Sequence, residues 1–154
     1  MDSTVSMKEL RDYAWDYFSL HADQRLKTFH FFILISAFIF TSCAALARII
    51  GVSFWMAIPM FSISLLAFAF WKLDKRNKQL VRVGEEALKE IESNLIAQDV
   101  SIKLCPFINE QLSTAELKDK KKNSLSYSMC FGFVFFGFGS TGLLSGIYII
   151  SALV

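Results

Sequence analysis

Only two histidines, His21 and His30, occur among the 154 residues, and the three cysteines, Cys43, Cys105 and Cys130, lie far apart. No two of these residues have zinc-ligand spacing, and no Cys–His pairing marks a thiol nucleophile. Three cysteines do not build a disulfide framework. A glycine-rich phosphate loop and a G-x-S-x-G nucleophile elbow are also missing. Glu85 and Glu86 are adjacent, so on a helix they point about 100° apart and do not make an acid/base pair. The net charge is +2, without the global basic field of a dedicated nucleic-acid binder. Together these absences argue against catalysis, and neither a cofactor, a metal nor a small-molecule substrate is expected.

Charge is missing locally too, and this absence sets the fold class. Phe29–Ala47 runs for 19 residues without Asp, Glu, Lys or Arg and with His30 at its edge, while Ile49–Trp71 (23 residues) and Tyr127–Val154 (28 residues) carry no charge at all. A bilayer core of about 30 Å is crossed by about 20 apolar residues in a helix. In lipid the backbone must satisfy its own hydrogen bonds, so these runs are expected as helices. The expectation is an all-α integral membrane protein. It would have an amphipathic or interfacial helix within 1–28, a transmembrane hairpin (29–47 and 49–71), a cytoplasmic helical segment at 72–126 and a third transmembrane helix at 127–154. The runs hold no Asp, Glu or Lys, against a proton relay or coupled transporter, and three spans have no inverted-repeat symmetry. Ala45-Leu46-Ala47 has the form of a signal-peptide cleavage site. The five acids ahead of the run and the second run just behind it favour an uncleaved hairpin.

Lys and Arg are present at 8, 11, 25 and 27, at 48, and at eleven positions from 72 to 122, with none beyond. The positive-inside rule then places the N-terminus and the central segment in the cytoplasm and the C-terminus outside. Arg48, in the outward link, can snorkel to the interface.

Along 7–28, Leu10, Tyr13, Ala14, Tyr17, Phe18 and His21 recur at helical spacing, and acids cover much of the rest. The helix is read as interfacial or docked on the cytoplasmic mouth of the spans. Gly51 supplies turn freedom in the tight link Arg48–Ser53. Pro59 falls inside the second run and is expected to kink it, as packing or as a gate. Trp71 followed by Lys72, Lys75, Arg76 and Lys78 marks a membrane interface. Beyond it the helix is expected to continue, with Leu80, Val81, Leu88, Ile91 and Leu95 in an apolar stripe that needs a cover: its own N-terminal helix, another copy, or a partner. Ser113-Thr114-Ala115-Glu116 has the pattern of a capped helix start. Lys118, Lys120, Lys121 and Lys122 precede the third run and serve topology, anionic lipid or nucleic-acid phosphates.

In the third run Gly132, Gly139 and Gly146 repeat at seven residues, Gly142 and Gly146 form a G-x-x-x-G, and Ser128 adds a small residue. Small residues let helix backbones approach closely in lipid. Self-association into a homo-oligomer and packing on the first two spans are both open. Phe131, Phe133, Phe135, Phe136 and Phe138 are read as the opposite face, turned to lipid or to neighbouring subunits.

Two stretches carry a resemblance: Tyr17-Phe18-x-Leu20-His21-Ala22-x-Gln24-Arg25-Leu26-x-x-Phe29-x-Phe31-Phe32, and Trp71-x-Leu73-Asp74-x-Arg76-Asn77-x-x-Leu80-Val81-x-x-Gly84-Glu85-x-Ala87-Leu88. The chain resembles small bacterial inner-membrane proteins with a transmembrane hairpin and a helical cytoplasmic extension. These are the toxic membrane effectors of anti-phage defence found beside retron reverse transcriptases, and the broader SLATT-type effectors. The likeness covers roughly residues 17–88, and the third run lies outside it. It implies an abortive-infection toxin of the inner membrane, held silent by a reverse transcriptase with its DNA–RNA hybrid and depolarising the membrane on release. The helix Leu73–Ile96 and the basic residues at 72–78 and 118–122 would then face the partner, and the glycine face would drive assembly. The competing reading is a non-catalytic accessory or scaffold subunit of a membrane complex.

Overall fold

The structure, a computed structural model, describes residues 6–98, 101–119 and 127–153. The helices are α1 (Met7–Ile50), α2 (Ala57–Ile96), α3 (Pro106–Asp119) and α4 (Tyr127–Leu153), with short 3₁₀ turns at Phe54–Met56, between α1 and α2, and at Ile102–Leu104, between α2 and α3. Among the described residues there is no strand. Three helices among the described residues are long and apolar enough to cross a membrane, so the all-α membrane class is the fold.

The N-terminal segment and the first apolar run share one helix. No proline or glycine occurs between Met7 and Ile50, so nothing local interrupts 44 residues of α1. Its start is a reciprocal cap: the Ser6 amide donates to Glu9 Oε2 at 2.9 Å, and the Lys8 amide donates to Ser6 Oγ at 3.3 Å. Its end is Gly51, at φ +80°, the left-handed region that glycine enters at little cost. Ile49 and Ile50 close α1 instead of opening the second span.

The chain divides into two units, neither contiguous: Met1–Gln24 with Asn77–Ser124, and Arg25–Arg76 with Leu125–Val154. The second holds the apolar runs and is called the membrane unit. Its core is aromatic. Phe32 is fully buried, with Phe135 and Phe131 nearly so. Phe29 stacks on Phe131 at 4.0 Å between ring centroids. Phe32 meets Phe135 at 4.8 Å and Phe70 and Phe138 at 5.5 Å, within the range where edge-on and tilted rings attract.

In the first unit α2 lies directly on α1. A Cβ built on Gly84 would stand 3.0 Å from Phe18 Cα, so any larger residue there would push the two backbones apart by a few tenths of an ångström. Phe107 of α3 packs edge-on to Phe18 at 5.4 Å and to Trp15 at 6.4 Å. The start of α3 is capped from a distance. Glu92, buried on α2, accepts from the Ile108 amide at 2.8 Å and from the Phe107 amide at 3.3 Å. These are two of the donors a helix N-terminus leaves unpaired, and Pro106 at the first position has none to lose. The expected start at Ser113 is therefore corrected. Ser113 lies inside α3, and its hydroxyl donates to the Glu110 carbonyl at 2.9 Å.

Candidate functional site

Among the described residues no group of three His, Cys, Asp or Glu is placed to hold a metal ion. Glu85 pairs forward with Lys89 and Glu86 pairs back with Arg82, surface pairs one helical turn apart.

The inward face of α4 is phenylalanine at one end and glycine at the other. Phe131, Phe135, Gly142 and Gly146 are all buried and follow one another at four- and seven-residue steps. This corrects the expected division into a glycine face and an opposite phenylalanine face. Only Phe133 and Phe136 are exposed, at 66 % and 76 %. A helix apolar on every side offers no amphipathic signal from which to read its inward face. At Gly142 a Cβ would meet the Met60 carbonyl oxygen at 2.7 Å, and at Gly146 the Phe61 ring at 2.9 Å. Ser64 Oγ donates to the Gly139 carbonyl at 2.7 Å across the same contact. These glycines thus hold α4 against α2 within one chain. Gly132 has nothing within 4 Å of a Cβ. Ser128, at the start of α4, is half-buried and has a partner of its own.

Pro59, expected as a mid-span kink, is the third residue of α2. A first-turn proline gives up no interior hydrogen bond, so it starts the helix instead of bending it. At the other end of the span, Lys75 Nζ sits 3.8 Å from the Trp71 ring centroid, and Lys72 Nζ 5.5 Å from Trp71 and 5.6 Å from Phe68. Such cation–aromatic pairs suit a headgroup boundary. Arg76 and Lys78 follow on α2, exposed. The Lys118 side chain and Lys120, Lys121 and Lys122 lie outside the described residues.

Of the apolar stripe, Leu88 is buried and Leu80, Val81, Ile91 and Leu95 are half-buried. Leu88, Ile91 and Leu95 line a cavity of about 350 Å³ with Trp15 and Phe107, so its own N-terminal helix and α3 cover much of the stripe. Cys105 is buried beside the Glu92 cap. Burial pushes its thiol above the ordinary value, and the Glu92 carboxylate adds to the rise.

Sequence reasoning missed an ion pair. Arg25 Nε donates to Asp74 Oδ1 at 2.7 Å and Nη2 to Oδ2 at 3.3 Å, with the side chains only 15 % and 9 % exposed. The guanidinium carbon lies 5.1 Å from the Phe131 ring centroid. One bidentate contact therefore ties α1 to α2 and touches α4. The signal was present: the two residues stand at similar distances on either side of Gly51, so an antiparallel hairpin brings them level.

Also unforeseen is an apolar groove of about 490 Å³ along the seam of α2 and α4, floored by Ala67, Gly132 and Gly139 and walled by Phe68, Trp71 and Phe136. Over residues 8–150 the chain matches the octameric membrane protein family. This chain belongs to that family. Membership makes it a membrane protein that assembles with copies of itself, and gives an exposed groove in the membrane unit an occupant to look for. The CD-NTase-associated protein 19 of Escherichia coli is 32 % identical over 146 residues, spanning 88 % of this chain and 87 % of that protein. No solved structure matches the chain.

Proposed function

We propose that this chain is a non-enzymatic, membrane-perturbing effector of bacterial anti-phage defence, working as a homo-octamer in the inner membrane. The observation that carries the reading is the family match over residues 8–150. Near full-length similarity to a CD-NTase-associated protein adds the defence context, in line with the resemblance read from residues 17–88. Spans without acids or lysines favour a passive lesion or a pore closed by an apolar constriction over coupled transport. The N-terminus and the 72–126 segment face the cytoplasm and the C-terminus faces outward. Partner control acts through the cytoplasmic segment. A CD-NTase is the first partner to test on the strength of the relative's name, and a reverse transcriptase with its DNA–RNA hybrid is the second. Expressing the chain alone in bacteria while following membrane potential and dye permeability tests the reading. Rapid depolarisation ahead of death, suppressed by the cognate partner, is expected. A stable potential with normal growth would sink it in favour of an accessory subunit.

A further inference from the structure

An octamer whose copies share one membrane topology cannot use two-fold axes lying in the membrane plane, since these would invert half the copies. Only rotation about the membrane normal remains, so each copy must offer two different surfaces that meet head to tail. The membrane unit has two unlike apolar features at one depth. The first is the α2/α4 groove, to which α1 contributes no residue. The second is a ridge on α1 formed by Phe31, Leu34 and Phe38, which are 60 %, 65 % and 73 % exposed. These three recur at helical spacing and point away from buried Phe32 and Ser36. They therefore sit on the far side of α1 from the core, as the groove sits on the far side of α2 and α4. In an eight-membered ring the two mating faces of a subunit are nearly opposed, as these are.

Depth matches as well. Phe32 is in ring contact with Phe70 and Phe135, and Phe40 with Phe138. Residues 31–38 of α1 are thus level with the groove walls on α2 and α4. Rotation about the membrane normal keeps depth, so one copy's ridge meets the next copy's groove without sliding. Gly132 gives the second reason. It weakens α4 as glycine does in any helix, yet it makes no close approach within the protomer. Its bareness leaves room for something from outside.

We infer that the α1 ridge of one copy seats in the α2/α4 groove of its neighbour, and that this contact closes the ring. The inference rests on the octameric membrane reading and names the interface that reading requires. Full-length protein extracted in mild detergent is tested by native mass measurement and by oxidative cross-linking in a background with Cys43 and Cys130 replaced by alanine. L34C combined with F136C, two positions at one depth by the ring contacts of Phe32 with Phe135 and Phe40 with Phe138, is expected to give a ladder of covalent species reaching eight, while either substitution alone gives none. Gly132→Leu is expected to shift the mass to a smaller species while the far-ultraviolet spectrum stays helical and the thermal midpoint does not fall. Dimers from L34C alone would show two ridges meeting and overturn the inference. So would an intact octamer of Gly132→Leu with no ladder from the double variant. An unsubstituted protein of monomeric mass would overturn the octamer reading itself, and this inference with it.

Discussion

Replacing Asp74 with asparagine removes a charge while keeping the shape, and so isolates the ion pair of the membrane unit. Removing one partner of a buried pair costs about 3–5 kcal/mol, because the other charge stays buried without compensation. Two features lower that figure. The Arg25 side chain is 15 % exposed, which lets water reach it, and the asparagine carbonyl still accepts the Nε–H, which donates at 2.7 Å in the native pair. The Phe131 face, 5.1 Å from the guanidinium carbon, stays as well. About 2–3 kcal/mol is therefore expected for Asp74→Asn. The assay is unfolding in mixed micelles of increasing denaturing-detergent fraction, followed by helicity. A cycle of Asp74→Asn, Arg25→Gln and the double variant separates pair from positions. The double variant should lose less than the sum of the singles by about 1.5–3 kcal/mol. A loss below about 0.5 kcal/mol for Asp74→Asn, or single effects that simply add, would refute the view that this pair fastens the hairpin.

Gly142→Leu forces a Cβ to 2.7 Å from the Met60 carbonyl oxygen, so α4 must leave α2. The same detergent titration should show a loss of about 2–3 kcal/mol, and an unchanged midpoint would mean the helices do not touch there. Glu92→Gln keeps one acceptor for the Ile108 and Phe107 amides and loses the charge at the α3 N-terminus. Hydrogen exchange of the α3 amides should report opening made easier by about 1–2 kcal/mol. Gly84→Ala sets a methyl 3.0 Å from Phe18 Cα. Overpacking of about 1–3 kcal/mol outweighs about 1 kcal/mol of helix propensity, and thermal unfolding should come earlier. Cys105, with its thiol pushed up by burial and by Glu92, should resist maleimide at neutral pH. The folded state keeps this proton longer than the unfolded state does. Its contribution is therefore fully present below the unfolded value, near 9.0, and falls away as pH rises through the folded one. Labelling at pH 7 as fast as in the unfolded chain would contradict the burial.

What the sequence disclosed was governed by range. Charge-free runs announce spans because the lipid constraint acts on each segment alone. Gly51 announced the turn because its left-handed backbone is a local matter. The Ser113 pattern misled because the cap of α3 comes from Glu92, on another helix, and the local sequence has no mark of it. The α4 faces were misassigned because a helix apolar all round is oriented only by its neighbours, here Phe32, Met60 and Ser64. The Arg25–Asp74 pair was legible in principle, since hairpin register fixes which residues stand level, but it needed the turn position to be used as a ruler.

The α4 glycines divide the work between folding and assembly. Gly142 and Gly146 are filled from within the protomer, by Met60 and Phe61, so bulk there breaks the fold before assembly is at issue. Gly132 is open within the protomer, so bulk there leaves the fold and tests assembly alone. If membrane damage belongs to the ring, the two classes should separate: Gly142→Leu should lose toxicity with the protein itself, and Gly132→Leu should lose toxicity at normal abundance. Full toxicity from a stably folded, unassembled Gly132→Leu protein would place the damage in the single three-helix unit, and the octamer would then be a store for the effector instead of its active form.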